Sequence, residues 1–131
     1  MKDLLSSLPH RWPFLLLDRV LEIDEQCGVF IKLVTSGDPC VTPSGTVPAA
    51  FLVEALAQAG GAHMNANFGA TAGFLAKVDG FVVRTPVQVG DELRIEVELQ
   101  RRLRGASLFR GRIVVGDEVR AEGKFTLALP S

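Results

Sequence analysis

Val47-Pro-Ala-Ala-Phe-Leu-Val-Glu-Ala-Leu-Ala-Gln-Ala-Gly-Gly-Ala-His-Met64 is apolar or small at almost every position and holds one carboxylate, Glu54, near its middle. The stretch reads as a helix. Ser44 or Thr46 stands where a cap belongs, Pro48 suits the first turn, and Gly60-Gly61 weakens the far end without stopping it. A helix that is apolar all round belongs in a protein interior. Ionised carboxylates are costly to desolvate there, so a lone acid in such a helix needs a reason. Glu54 is either satisfied by an internal hydrogen bond, with Gln58 one turn on and on the same face, or it is kept for chemistry.

Upstream of the helix, residues 15–24 read as a strand and 27–35 as its hairpin partner across a short acidic turn. Residues 36–45 are rich in turn formers and read as an irregular loop. Downstream, 72–82, 92–101, 107–115 and 118–128 read as strands. The 92–101 stretch alternates strongly, and the last two strands join through a Gly116-Asp117 turn. One long apolar helix among about six antiparallel strands leaves few architectures. An antiparallel sheet buries one face. That face can wrap the helix, and Ala50, Ala57, Gly60 and Gly61 would allow close approach. The expected class is α+β, the hotdog fold, as a single domain over 1–131. So small a sheet leaves an exposed edge, which predicts dimerisation by edge pairing.

The composition narrows the function classes. A chain of 131 residues suits one domain with a real core, and 47% hydrophobic with 22% charged residues is ordinary for a globular protein. A net charge of −1 gives no pull toward nucleic acid or an anionic membrane. Cys27 and Cys40 lie 13 residues apart, without the spacing of a disulfide framework or a metal site. The N-terminus lacks the apolar run of a signal peptide. The helix, with Gln58 and His63, is too short and too polar to insert in a membrane. The expectation is a cytoplasmic protein that binds no metal.

Four motifs carry a resemblance. Leu8-Pro-His-Arg-Trp-Pro-Phe-Leu-Leu-Leu-Asp-Arg-Val20 resembles the N-terminal signature of FabZ-type 3-hydroxyacyl-ACP dehydratases, and Val53-Glu-Ala-Leu-Ala-Gln-Ala-Gly60 is similar to their central-helix signature. Phe74-Leu-Ala-Lys-Val-Asp79 and Pro86-Val-Gln-Val-Gly-Asp-Glu-Leu93 resemble the strand and turn that follow. The resemblance runs in order over essentially the whole chain. It implies a hotdog dimer with active sites at the subunit interface, each using groups from both subunits. It also implies a substrate carried on the phosphopantetheine of acyl carrier protein (ACP) or coenzyme A, with no further cofactor.

The chain departs from the family at the catalytic position, and Ala49 replaces the glycine that usually follows the family proline matched by Pro48. The family carries a catalytic His fourteen residues before the helix Glu, and that count from Glu54 reaches Cys40. No His lies between Glu25 and Ala62. Dehydration of a 3-hydroxyacyl thioester requires a base for the C2 proton, an acid for the departing C3 hydroxyl, and donors for the thioester oxygen. Glu54 remains. Ala49 and Ala50 sit where helix N–H groups are unpaired and the dipole favours negative charge. Cys40 is either a thiol base or a small apolar loop residue. His63 follows Glu54 by nine residues, half a turn out of phase, and suits a structural or surface role. His10 matches a motif position whose family role is to shape the interface and tunnel mouth, with catalysis as the alternative.

Gln58, Phe74 and Leu75, together with Phe51, Leu52 and Phe81, belong to the core or line an acyl tunnel. Arg101, Arg102, Arg104, Arg110 and Arg112 fall in one hairpin, as a solvated rim or as a landing site for an acidic carrier or coenzyme A phosphates. Three functions fit: a dehydratase of acyl thioesters in fatty-acid or polyketide-type synthesis, a thioesterase using Glu54 to activate water, or a non-catalytic partner of an active dehydratase. The matching assemblies are a homodimer, a trimer of dimers, or a heterodimer with a His-bearing relative.

Overall fold

A computed structural model of the chain describes residues 15–69 and 74–128. His10 and most of the N-terminal motif lie outside the described residues, as do positions 72 and 73 of the expected third strand. The elements in chain order are β1 (Arg19–Ile23), β2 (Cys27–Leu33), α1 (Ala49–Phe68), β3 (Phe74–Val83), β4 (Glu92–Leu103), β5 (Ala106–Val115) and β6 (Glu118–Ala128). The six strands form one antiparallel sheet in the order β1-β2-β4-β5-β6-β3. The helix leaves the chain after β2 and returns it to β3, at the far edge. One antiparallel sheet wrapped on one helix is the hotdog fold, as expected.

The sheet-facing side of α1 is packed tightly. Leu52, Ala55, Leu56, Ala59 and Ala62 are all at most 3% exposed, against a sheet face built from Phe30, Ile95, Val97, Phe109, Ile113 and Phe125. Phe109 and Phe125 stack at 5.3 Å between ring centroids. The layers meet closest at two glycines. A Cβ on Gly60 would lie 2.9 Å from the Phe125 ring, and one on Gly111 would lie 2.8 Å from Leu56. Of the four small residues expected to allow this approach, only Gly60 does so; Ala50, Ala57 and Gly61 lie on the opposite, less covered side.

Two local expectations are corrected. The first strand is Arg19–Ile23 rather than 15–24. Leu16 and Leu17 dive into the core, and the Leu16 N–H donates to Gln58 Oε1 at 2.7 Å instead of to a strand. Neither Ser44 nor Thr46 caps the helix: the N-cap is Pro48 in an extended conformation, with no side-chain cap bond. The hydroxyls of Thr42, Ser44 and Thr46 bond to one another instead. At the other end the helix passes Gly60-Gly61 and runs to Phe68, where Gly69 adopts the left-handed conformation (φ 63°) and its N–H returns to the Asn65 carbonyl.

The edge strand β3 is exposed along most of its length, including Phe74, Val78, Val82 and Val83. Unpaired edges with apolar side chains are templates for another chain. Among the described residues no helix is long and apolar enough to cross a membrane.

Candidate functional site

Glu54 lies on the open side of α1 and is half-buried in the protomer, rather than enclosed as the apolar sequence around it suggests. Its carboxylate Oε1 accepts a hydrogen bond from Gln58 Nε2 at 3.3 Å. The orientation of that amide follows from its other end. A backbone N–H only donates, so the bond from Leu16 fixes Oε1 of the buried Gln58 on the core side and leaves Nε2 for Glu54. Gln58, expected to line the substrate site, is 2% exposed in the protomer and links the chain ahead of β1 to Glu54.

One turn before Glu54, Ala49, Ala50 and Phe51 are exposed. The first intrahelical bonds are those of Phe51 N–H and Leu52 N–H to the Pro48 carbonyl. Ala49 and Ala50 therefore sit at the positive end of the helix, with N–H groups free of the helical ladder. The open face thus combines a carboxylate with helix-terminal donors.

Cys40 does not join them as a base. It is 7% exposed and packed in the core cluster. Burial pushes its thiol up from the usual range, the Asp38 carboxylate adds to the effect, and Lys32 opposes it only in part. A thiol held that way is protonated at neutral pH. The loop carrying Cys40 is tied down by Lys32, which is almost fully buried. Its ammonium reaches Asp38 Oδ1 at 3.3 Å and Asp18 Oδ1 at 3.8 Å. Asp38 Oδ2 also accepts the Thr35 N–H at 2.8 Å. Sequence reading passed over Lys32. Its one signal is a cation in a stretch that is otherwise apolar, Cys27-Gly-Val-Phe-Ile-Lys-Leu33.

His63 is fully buried on the sheet side of α1, edge-on to Phe109. Its Nε2 lies 3.0 Å from the Asp24 carbonyl, and Nδ1 has no partner. Burial lowers its pKa, against the smaller opposing pull of Asp24. It is a neutral core histidine facing away from Glu54.

Phe74, Leu75 and three of the expected arginines gather at the opposite end of the helix. Phe74 is 59% exposed and Leu75 half-buried at the start of β3, paired with Ala128 and Leu127. Arg101, Arg102 and Arg104 are exposed at the tip of the β4–β5 hairpin, and Arg102 stands 3.7 Å over the ring of Phe68, the last helical residue. Arg110 and Arg112 are not part of this tip. They lie mid-strand on the outer face, where Arg112 pairs with Glu96 at 2.7 Å. A helix of 20 residues separates the two ends by about 30 Å. One protomer therefore keeps its helix-start donors apart from its arginine tip and Phe74. A two-fold arrangement laying two helices antiparallel would bring one chain's tip to the other's helix start.

Comparison with known proteins places the chain in a family. The chain is 38% identical over 139 residues to the 3-hydroxyacyl-[acyl-carrier-protein] dehydratase FabZ of Roseiflexus sp. (strain RS-1), covering 100% of this chain and 96% of that protein. The FabZ of Bordetella pertussis is 37% identical over 144 residues, covering 100% and 95%. Among solved structures, the dehydratase heterocomplex ApeI:P from Xenorhabdus doucetiae matches with a TM-score of 0.88 at 22% identity, over 100% of this chain and 93% of that chain. Zebra fish thioesterase superfamily member 2 matches with a TM-score of 0.78 at 12% identity, over 96% and 91%. Those structural likenesses carry the fold alone. The family model of the ApeP dehydratase matches residues 3–131, and with the FabZ relatives this shows that the chain belongs to the ApeP-like dehydratase family.

Proposed function

We propose that the chain is one subunit of a 3-hydroxyacyl-ACP dehydratase whose catalytic site is completed by a His-bearing relative. The observation that carries this reading is the contrast between Glu54 and Cys40. Glu54 stands on the open face of α1 beside the helix-start donors, within reach of a second subunit, while Cys40 is buried and protonated. A pair of identical chains would bring two copies of Glu54 and, among the described residues, no base of the required strength.

In the proposed site the thioester carbonyl accepts hydrogen bonds from the Ala49 and Ala50 N–H groups, which stabilise the charge that develops on its oxygen. The partner's imidazole takes the C2 proton. The C2–H electron pair becomes the C2–C3 double bond, the C3–O bond breaks, and Glu54 delivers a proton to the departing hydroxyl, which leaves as water. Gln58 holds the Glu54 side chain in place. Phe74 and Leu75 line the acyl path contributed across the interface. Arg101, Arg102 and Arg104 offer exposed cations to an acidic carrier, at the chain end that a two-fold places beside the other helix start. The chain's own Cys40 position forms the inactive half of the pair.

The test is reconstitution. The chain is purified alone and with a His-bearing dehydratase relative, and each preparation is incubated with a 3-hydroxyacyl-ACP and read by mass spectrometry. The expected result is loss of water from the intact thioester by the mixed preparation only. Replacing Glu54 by Gln in this chain should cut that activity by about 10²–10⁴-fold, the usual worth of a positioned acid or base. Release of free 3-hydroxy acid by the chain alone would overturn the reading in favour of hydrolysis by water activated on Glu54. Full dehydration by the chain alone would show that it has a base of its own.

A further inference from the structure

Helix α1 starts without a side-chain cap, although its first turn carries the donors that the proposed chemistry uses. Its position is set by a short ladder between the chain ahead of the helix and the turn after β3. The Val47 N–H donates to the Val87 carbonyl at 2.8 Å, and the Val89 N–H donates to the Gly45 carbonyl at 2.8 Å, on either side of the isolated bridge between Thr46 and Gln88. The 86–91 turn thus acts as the mount for the helix start. It is also tied to the end of β2, where Gly90 N–H meets the Val34 carbonyl and Val34 N–H meets that of Asp91.

One side chain holds the two ends of this mount. Arg120, on β6, is mostly buried and donates from Nη1 to the Pro86 carbonyl at 2.9 Å and to Asp91 Oδ2 at 3.2 Å. Its Nε faces the Glu118 carboxylate. Asp91 Oδ2 also accepts the Gln88 N–H at 2.9 Å, so the carboxylate that Arg120 grips closes the turn internally. Both members of the Arg120–Asp91 pair are 15% exposed, which sets it apart from the solvated pairs on the outer face.

We propose that Arg120 is a positioning residue for the start of α1. It acts through the 86–91 turn and the Val47–Val87 and Val89–Gly45 bonds on the donors of Ala49 and Ala50. Its effect on turnover rests on the functional reading above; its effect on the mount does not. A guanidinium that spans a backbone carbonyl and a carboxylate fixes their separation, and a shift of about 1 Å in a donor pair can cost about 10²-fold in rate.

The test compares Arg120→Met and Arg120→Lys with Arg84→Ala in the full chain, by amide hydrogen exchange and by dehydration in the mixed preparation. Arg84 forms an exposed pair with Glu122 nearby and serves as the charge-matched control. Arg120→Met should lose about tenfold or more of the protection at the Val47 and Val89 amides, while Ile95, Val97 and Ile113 keep theirs. It should lower kcat by about 10- to 100-fold with KM within about twofold. Arg120→Lys, which keeps the charge and its donors, should recover part of both effects, and Arg84→Ala should change neither. Unchanged protection at Val47 and Val89, or loss spread evenly over every strand, overturns the proposal. So does selective loss of protection with kcat intact. A wild-type preparation that dehydrates nothing sinks the functional reading instead, and the exchange pattern then decides by itself whether Arg120 holds the mount.

Discussion

The two long faces of α1 are built from the same kinds of residue and meet different fates. Leu52, Leu56, Ala59, Ala62 and His63 face the sheet and are sealed; Ala50, Val53, Glu54, Ala57 and Gly61 face away and are exposed or half-buried. Apolar character does not distinguish the two sides. A single sheet covers one side of a helix, so the other stays uncovered in the protomer. Glu54, the one carboxylate of the helix, sits on the uncovered side, and the neutral histidine sits on the covered side. This contrast separates residues that hold the fold from residues that, in the proposed function, meet a second chain.

Changes on the two faces should therefore separate stability from activity. The largest effect on folding is expected from Leu56→Ala on the sealed face, which opens a cavity beside Gly111. It should cost about 2–5 kcal/mol in urea unfolding. Glu54→Gln, two residues earlier on the open face, should leave that unfolding midpoint within about 0.5 kcal/mol. A Leu56→Ala midpoint equal to wild type would break the comparison at its root.

A smaller effect is expected at Gly60. A methyl there meets the Phe125 ring and Leu127 at contact-breaking distances. Overpacking costs about 1–3 kcal/mol, offset by the roughly 1 kcal/mol that Ala gains over Gly in a helix. Gly60→Ala should be destabilising by about 1 kcal/mol, and a stabilised variant would show that the layers have room to part. On the open face, Val53→Ala should change unfolding of the dilute protomer by less than about 1 kcal/mol and weaken association instead, read as a midpoint that rises less with protein concentration than that of the wild type.

The most gradual effect is that of pH. Burial holds His63 below its ordinary value in the folded chain. Above about pH 6.5 it is neutral whether folded or not, and its contribution is constant. As pH falls below about 6.5 the unfolded chain takes up a proton that the folded chain refuses. Stability therefore declines until the folded pKa is passed. His63→Phe, which removes the group, should flatten that part of the stability curve; an unchanged slope would assign it to other residues.

Much of the fold was legible because its signals are local. The 118–128 strand and the Gly116-Asp117 turn emerged as read, since alternation and a turn-forming pair act over a few residues. The stretch 15–18 was misread because its apolar run fits a strand equally well, and only Gln58, 42 residues away, claims the Leu16 amide. The missing helix cap has the same origin. Thr46 has the right chemistry, but Thr42 and Ser44 occupy its hydroxyl, and the ladder to Val87 does the anchoring. Within the site, the periodicity that sets His63 half a turn from Glu54 was readable by counting. The arginine tip was only partly so, because Arg110 and Arg112 follow the strand onto the outer face.

The sequence by itself determined the helix with its one carboxylate, the antiparallel strands and the absence of a histidine at Cys40. These follow from residue type and spacing along the chain. Only the tertiary structure decided which side of the helix is sealed, that Cys40 is enclosed, that Lys32 and Arg120 brace the loops around the helix start, and that the tip arginines stand at the far end of the helix. Each of those depends on contacts between residues far apart in sequence, and burial and charge pairing take their values only once the sheet has closed over one face.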